Sequence, residues 1–149
     1  MFKGMATDEL PPTTVSERAP DTRALGRTLI DTFGMGWAKA NVELLASVFA
    51  PDAVFIETPF SDPIRGLDGI RRWWLDVPYN QSEITFSSGE VYAAGPWFST
   101  EFKCVFRRKR TGEWVDARGA IFCETEGGLI SEMRMYWHRW NGGRDTGKP

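Results

Sequence analysis

The sequence predicts an α+β fold, with helices packed on one face of a curved, mainly antiparallel sheet. Three observations carry this. Apolar residues recur at helical spacing in the first half. They alternate at strand spacing in the second half. Two glycine-bearing turns, Thr111-Gly112 and Gly127-Gly128, join the last three alternating runs.

The elements follow in order. Residues 1–20 carry Pro11, Pro12 and Pro20 and few large apolar residues, and read as a flexible tail. Asp21 suits a helix N-cap, and Leu25, Leu29, Phe33 and Trp37 follow as one stripe. Asn41 opens a second helix with Val42, Leu45 and Phe49 on one face, which Pro51-Asp52 ends. Residues 53–57 form a short strand, residues 58–66 a loop, and residues 67–75 a third helix. Strands are expected over residues 83–93, 98–108, 114–125 and 129–140. The domain thus spans residues 21–140, and residues 141–149 form a second tail. No internal repeat interrupts it.

Length and composition exclude several chemistries. A chain of 149 residues buries roughly 70% of its unfolded surface, enough for one core. The charge balance, 18 basic against 20 acidic residues, disfavours nucleic acid and membrane-surface partners. Seven Trp, ten Phe and three Tyr need a core or a cavity to enter. One His and two Cys cannot complete the usual four-ligand zinc site without carboxylates. No metal or cofactor is expected. The N-terminal stretch has no apolar run of the signal-peptide kind, and no run approaches the ~18 residues of a membrane span. These features point to a cytoplasmic protein with reduced thiols.

Strand phase sorts the side chains. A two-residue turn at Thr111-Gly112 pairs Phe106 with Ala117, and a three-residue turn at 127–129 sets the last strand. One face then holds Phe98, Thr100, Phe102, Cys104 and Phe106, continuing as Ala117, Gly119, Ile121 and Cys123. It closes with Met133, Met135 and Trp137. The opposite face holds Glu101, Lys103, Asp116, Arg118, Glu132, Arg134, Tyr136 and His138. A slip of one residue would exchange the two faces.

The order of elements, with Phe49-Ala50-Pro51-Asp52-Ala53-Val54 leading into a strand and Gly66 beyond it, resembles the nuclear transport factor 2-like superfamily. Within it the chain is most similar to the SnoaL-like branch, relatives of ketosteroid isomerase and limonene epoxide hydrolase. The resemblance covers about residues 22–140. It implies a cone-shaped barrel: three N-terminal helices and a strongly bent sheet around an apolar pocket. It also implies a homodimer through the outer sheet face.

Neither relative's machinery carries over. The ketosteroid isomerase base falls on Glu57 or Thr58, its tyrosine on Phe33, and its protonated aspartate near Gly119-Ala120-Ile121, where no acid stands. The epoxide hydrolase set falls on Cys104, Phe102, Met135, Phe55 and Glu57, and no identity matches. Both specific activities are excluded.

Glu57 remains the candidate catalytic residue. It ends the apolar run Val54-Phe55-Ile56 in phase with Phe55, and a carboxylate in an apolar site can exchange a proton near neutrality. The competing reading is a strand-end carboxylate, solvated or paired with Arg65 or Arg139. The expected substrate-binding wall is Phe33, Trp37, Phe55, Trp74, Phe102, Phe106, Met135 and Trp137. Trp73 and Trp97 read as core or wall. Tyr92 is a hydroxyl donor of unresolved facing.

Other candidates favour plainer readings. Asp62 and Arg65 read as a surface pair, His138 as an outer-face residue, and Cys104 as a small core residue. The run from Arg107 to Arg110 reads as a solvated hairpin tip. Gly34-x-Gly36 sits within a helix and is no dinucleotide fingerprint. Two functions stay open. One is a cofactor-free isomerase, cyclase or hydratase/dehydratase acting on a small hydrophobic molecule through Glu57. The other is a non-catalytic ligand-binding or dimer-scaffold protein.

Overall fold

A computed structural model describes residues 21–140. The expected tails at 1–20 and 141–149 lie outside the described residues. Helix α1 spans Thr22–Ala38 and α2 spans Val42–Ala46. Strand β1 (Phe49–Ile56) and the short β2 (Ile64–Arg65) follow. Helices α3 (Leu67–Trp74) and α4 (Asp76–Asn80) lead to four long strands: β3 (Gln81–Ala94), β4 (Trp97–Arg108), β5 (Trp114–Glu126) and β6 (Leu129–Arg139). The architecture is α+β. One six-stranded mixed sheet runs in the order β2-β1-β6-β5-β4-β3 and does not close on itself.

Local chemistry sets the helix ends. The Asp21 side chain accepts from the Ala24 N–H at 3.1 Å, and Asn41 accepts from the Leu44 N–H at 3.0 Å. The second helix ends at Ala46, earlier than its apolar stripe suggests, and Phe49 already belongs to β1. Pro51 and Asp52 therefore lie inside a strand and do not end a helix. They occupy the irregular stretch of β1 where its parallel register against β6 shifts, which is where a strand tolerates proline. Residues 76–80 form a fourth helix, which no expected element covered.

The β5–β6 turn uses two residues, Gly127 and Gly128, both at positive φ, and not three. A bulge between Glu124 and Thr125 then restores the expected pairing, so Ile121 faces Met135 and Gly119 faces Trp137. At the β4–β5 hairpin the register differs by two from the expected one: Phe106 pairs with Val115 and Cys104 with Ala117. Arg108 N–H donates to the Glu113 carbonyl, which closes a longer loop through Gly112. A shift of two preserves the faces.

The inward face is accordingly a continuous core. Phe98, Cys104, Ile121, Cys123 and Met133 are buried beneath α1, with Leu29, Ile30 and Phe33 supplied from the helix. Gly119 lies tight against β6: a Cβ there would stand 2.0 Å from the Tyr136 carbonyl oxygen. Among the described residues no helix is long and apolar enough to cross a membrane.

Candidate functional site

The open side of the sheet and the helices leave a cavity of about 190 Å³. Alternation along β1 carries Ala53 and Phe55 into the core and brings Glu57, just past the strand, to the cavity wall. Helix α1 contributes Trp37, α3 contributes Trp73 and Trp74, and β4 contributes Phe102 and Phe106. Strand β6 contributes Met135, Trp137 and Arg139, while Val115 and Ala117 of β5 complete the floor. Asp76, Gln81 and Arg108 add polar groups at the edge.

Of the expected wall, Trp37, Trp74, Phe102, Phe106, Met135 and Trp137 border the cavity. Phe33 and Phe55 do not. Both are fully buried behind Trp74, with ring centroids 5.4 and 5.6 Å from it. They brace the wall because their strand and helix positions point at the indole rather than past it. Trp97 lies elsewhere, beneath the Arg134 guanidinium. Tyr92 and His138 are exposed, as are Asp62 and Arg65.

The Glu57 carboxyl is raised above its ordinary range. Burial is the largest cause, and the Ser61 and Trp137 side chains beside it partly oppose the shift by hydrogen bonding to the charged form. Ser61 is itself held by Thr58, with 2.7 Å between their hydroxyl oxygens. Arg139, one of the two expected pairing partners, instead donates to the Glu113 carboxylate. Arg65, the other, does not border the cavity.

A second polar array lines the far edge. The Trp37 Nε1–H donates to Gln81 Oε1 at 3.0 Å, and Gln81 Nε2 donates to Asp76 Oδ2 at 3.3 Å. Arg108 stands 3.6 Å from Glu113, so one carboxylate serves two guanidiniums. Arg108 is therefore a cavity residue and not part of a wholly solvated tip. Sequence reasoning named Arg139 only as a pairing partner for Glu57 and not as part of the wall, although it continues the Met133, Met135, Trp137 alternation by one step. Gln81 gave no such signal, because bulges at Ser82/Thr85 and Ser88/Val91 break the phase of β3, and Asp76 opens the short helix that no expected element covered.

The thiols take no part. Cys104 and Cys123 are free and buried, and burial raises both well above the ordinary thiol range. Among the described residues no three His, Cys, Asp or Glu side chains gather as a metal site requires.

The SnoaL-like domain model matches residues 30–133, which contain most of the core and most of the sheet. The chain belongs to the SnoaL-like domain family. No curated protein matches the sequence. Solved structures share the fold of this SnoaL-like chain at low identity. A Bacillus subtilis protein with a provisional isomerase name superposes with a TM-score of 0.71 at 20% identity, covering 80% of this chain and 90% of that one. The epoxide hydrolase/cyclase-like enzyme SalBIII, of pyran ring formation in salinomycin, gives 0.69 at 15% identity, with 79% and 93% covered. A Mycobacterium tuberculosis protein in complex with estradiol-17beta-hemisuccinate gives 0.64 at 17% identity, with 76% and 94% covered.

Proposed function

We propose that this SnoaL-like protein is a cofactor-independent enzyme that moves a proton on a small hydrophobic substrate, in an isomerisation, cyclisation, hydration or dehydration. One observation carries the reading: a carboxyl raised by burial stands on the wall of a mainly apolar cavity, with the other polar groups at its edge engaged with one another. A raised carboxyl can take a proton from carbon or oxygen and return it within the same turnover. Ser61 and Trp137 stand beside it and favour its charged form. The wall of Trp37, Trp74, Phe102, Phe106, Met135 and Trp137 packs the substrate and excludes water; Phe33 and Phe55 support that wall from behind. The relatives named for isomerase and cyclase activity, and the steroid-derived ligand of another, are in keeping with such a substrate.

A second reading is a non-catalytic ligand carrier, favoured by the shortage of a further unengaged acid or base near Glu57. Incubation with a hydrophobic metabolite extract followed by crystallography separates the two. Density beside Glu57, from a compound that exchanges deuterium with solvent in the wild type and not in Glu57→Gln, is the expected result. A bound compound with no Glu57-dependent exchange supports the carrier, and an empty cavity overturns both.

For the outer sheet face we propose a twofold interface. Tyr136 and Phe122 lie exposed there in edge-on contact, with ring centroids 5.6 Å apart. A homodimer at micromolar concentration in sedimentation is expected, and a monomer would refute it.

A further inference from the structure

Two strands of the cavity wall end their inward rows in a guanidinium. Along β4 the alternation Phe102, Cys104, Phe106 runs on to Arg108, and along β6 Met135 and Trp137 run on to Arg139. Between them Glu113 comes two residues before the inward Val115 of β5, and its carbonyl accepts from the Arg108 N–H at 2.8 Å. Two cations thus share one carboxylate at the edge of a mainly apolar cavity.

The two contacts are unequal. Arg139 hydrogen-bonds Glu113. Arg108 stands 3.6 Å from it, beyond hydrogen-bond range, and no other acid lies within ion-pair range of Arg108 among the described residues. The Arg108 side chain is 39% exposed, so a ligand can reach it. Its guanidinium carbon lies 5.8 Å from the centre of the Phe106 ring, which is itself part of the wall. Open donors therefore sit against the aromatic surface of the cavity. Lys109 beside it adds positive charge and donates to the Pro78 carbonyl, not to an acid. Asp76, the acid at the far edge, is held by the Asn80 and Gln81 side-chain amides.

We propose that Arg108 determines specificity by binding a carboxylate on the ligand. The ligand is then an organic acid, with an apolar body inside the cavity and its carboxylate at the rim. This inference rests on the cavity being the ligand site, and it does not require Glu57 to be catalytic. The rim already holds one carboxylate, that of Glu113, and a planar guanidinium engages another through its open edge. Partial exposure keeps the bound anion near water, which spares it most of the desolvation that a deeper site would impose.

The test uses 2-naphthoate and 2-naphthamide, which share a shape and differ in charge. Dissociation constants are measured on the full chain by calorimetry at neutral pH and low salt. The wild type is expected to prefer the naphthoate by roughly tenfold, and added salt to shrink that preference. In Arg108→Gln the preference falls by roughly threefold or more, with naphthamide affinity unchanged. In Glu113→Gln it rises, because the competing carboxylate is gone. The opposite signs separate a carboxylate held by Arg108 from a general loosening of the rim. Circular dichroism checks folding, and either variant alone decides if the other fails to fold. A wild type with no preference, or a preference unmoved in both variants, overturns the inference and leaves the cavity reading standing. A wild type that binds neither compound overturns both.

Discussion

The Trp37 indole N–H donates to the Gln81 side-chain oxygen at 3.0 Å, joining the middle of the sequence to the end of α1 across the cavity wall. Both residues are buried, so the pair holds the wall in one geometry. Gln81→Leu keeps the volume and removes the acceptor. It is expected to cost about 1–3 kcal/mol in denaturant titration, because the indole donor is then stranded. Adding Trp37→Phe to this variant is expected to cost less than the two single changes summed, since no donor remains to satisfy.

Glu57→Gln is expected to lower turnover of a cavity substrate by about 10²- to 10⁴-fold, with little change in ligand affinity. Its effect on stability depends on pH with a definite sign. The folded carboxyl is raised by burial, so the native state holds the proton more tightly than the unfolded chain. Wild-type stability therefore falls as pH rises from the ordinary carboxylate value through the raised folded value. Relative to wild type, Glu57→Gln should gain stability as pH rises from the ordinary carboxylate value through the raised folded value, read as a difference in denaturation midpoints. A midpoint difference that does not change with pH would count against a raised Glu57.

Phe33 supports the wall without touching the cavity. It makes edge-on contacts with Trp37, Phe49, Trp74 and Phe86 and is fully buried. Phe33→Ala is expected to destabilise by about 3–5 kcal/mol. Ligand specificity should shift little in the fraction that folds. A change in specificity without a loss of stability would place Phe33 on the ligand instead.

Gly119→Ala places a methyl group 2.0 Å from a backbone oxygen of β6, which cannot rotate away. Separation of β5 from β6 at the level of Trp137 follows. The variant is expected to lose at least about 3 kcal/mol or to be recovered insoluble.

Asp116 has the opposite pH sign to Glu57. Arg118 donates to both its oxygens at 2.9 Å, and those hydrogen bonds, against the effect of burial, hold its carboxyl below the ordinary range. The stabilisation is present above the ordinary carboxylate value and is lost as pH falls through the depressed folded value. Asp116→Asn should thus be less stable than wild type near neutrality, and the gap should narrow in acid. An unchanged gap would argue that Arg118 does not depress Asp116.

Strand alternation made the inward face legible residue by residue, from Phe98 through Ile121 to Met135 and Trp137. The correct faces survived a register at the β4–β5 hairpin that differed by two, because side-chain direction repeats every two residues. The same rule was silent on β3, where two bulges interrupt the alternation, and Gln81 was hidden for that reason. Phe33 and Phe55 show a further limit. Periodicity separates inside from outside, and it does not separate the wall of a cavity from the layer behind it.

The sequence by itself determined the α+β class, the SnoaL-like resemblance and the single acid in phase with an apolar strand. These depend on local periodicity and on residue order, which the chain carries in one dimension. Tertiary structure alone decided that Arg139 bonds Glu113 and not Glu57. It also decided that Gln81 satisfies Trp37, and that Trp74 and Arg139 each keep a buried donor without a partner. Hydrogen bonds reach only about 3 Å, and these partners lie up to 44 positions apart. Pairing at that range follows from how the sheet bends over the helices, which no local pattern encodes.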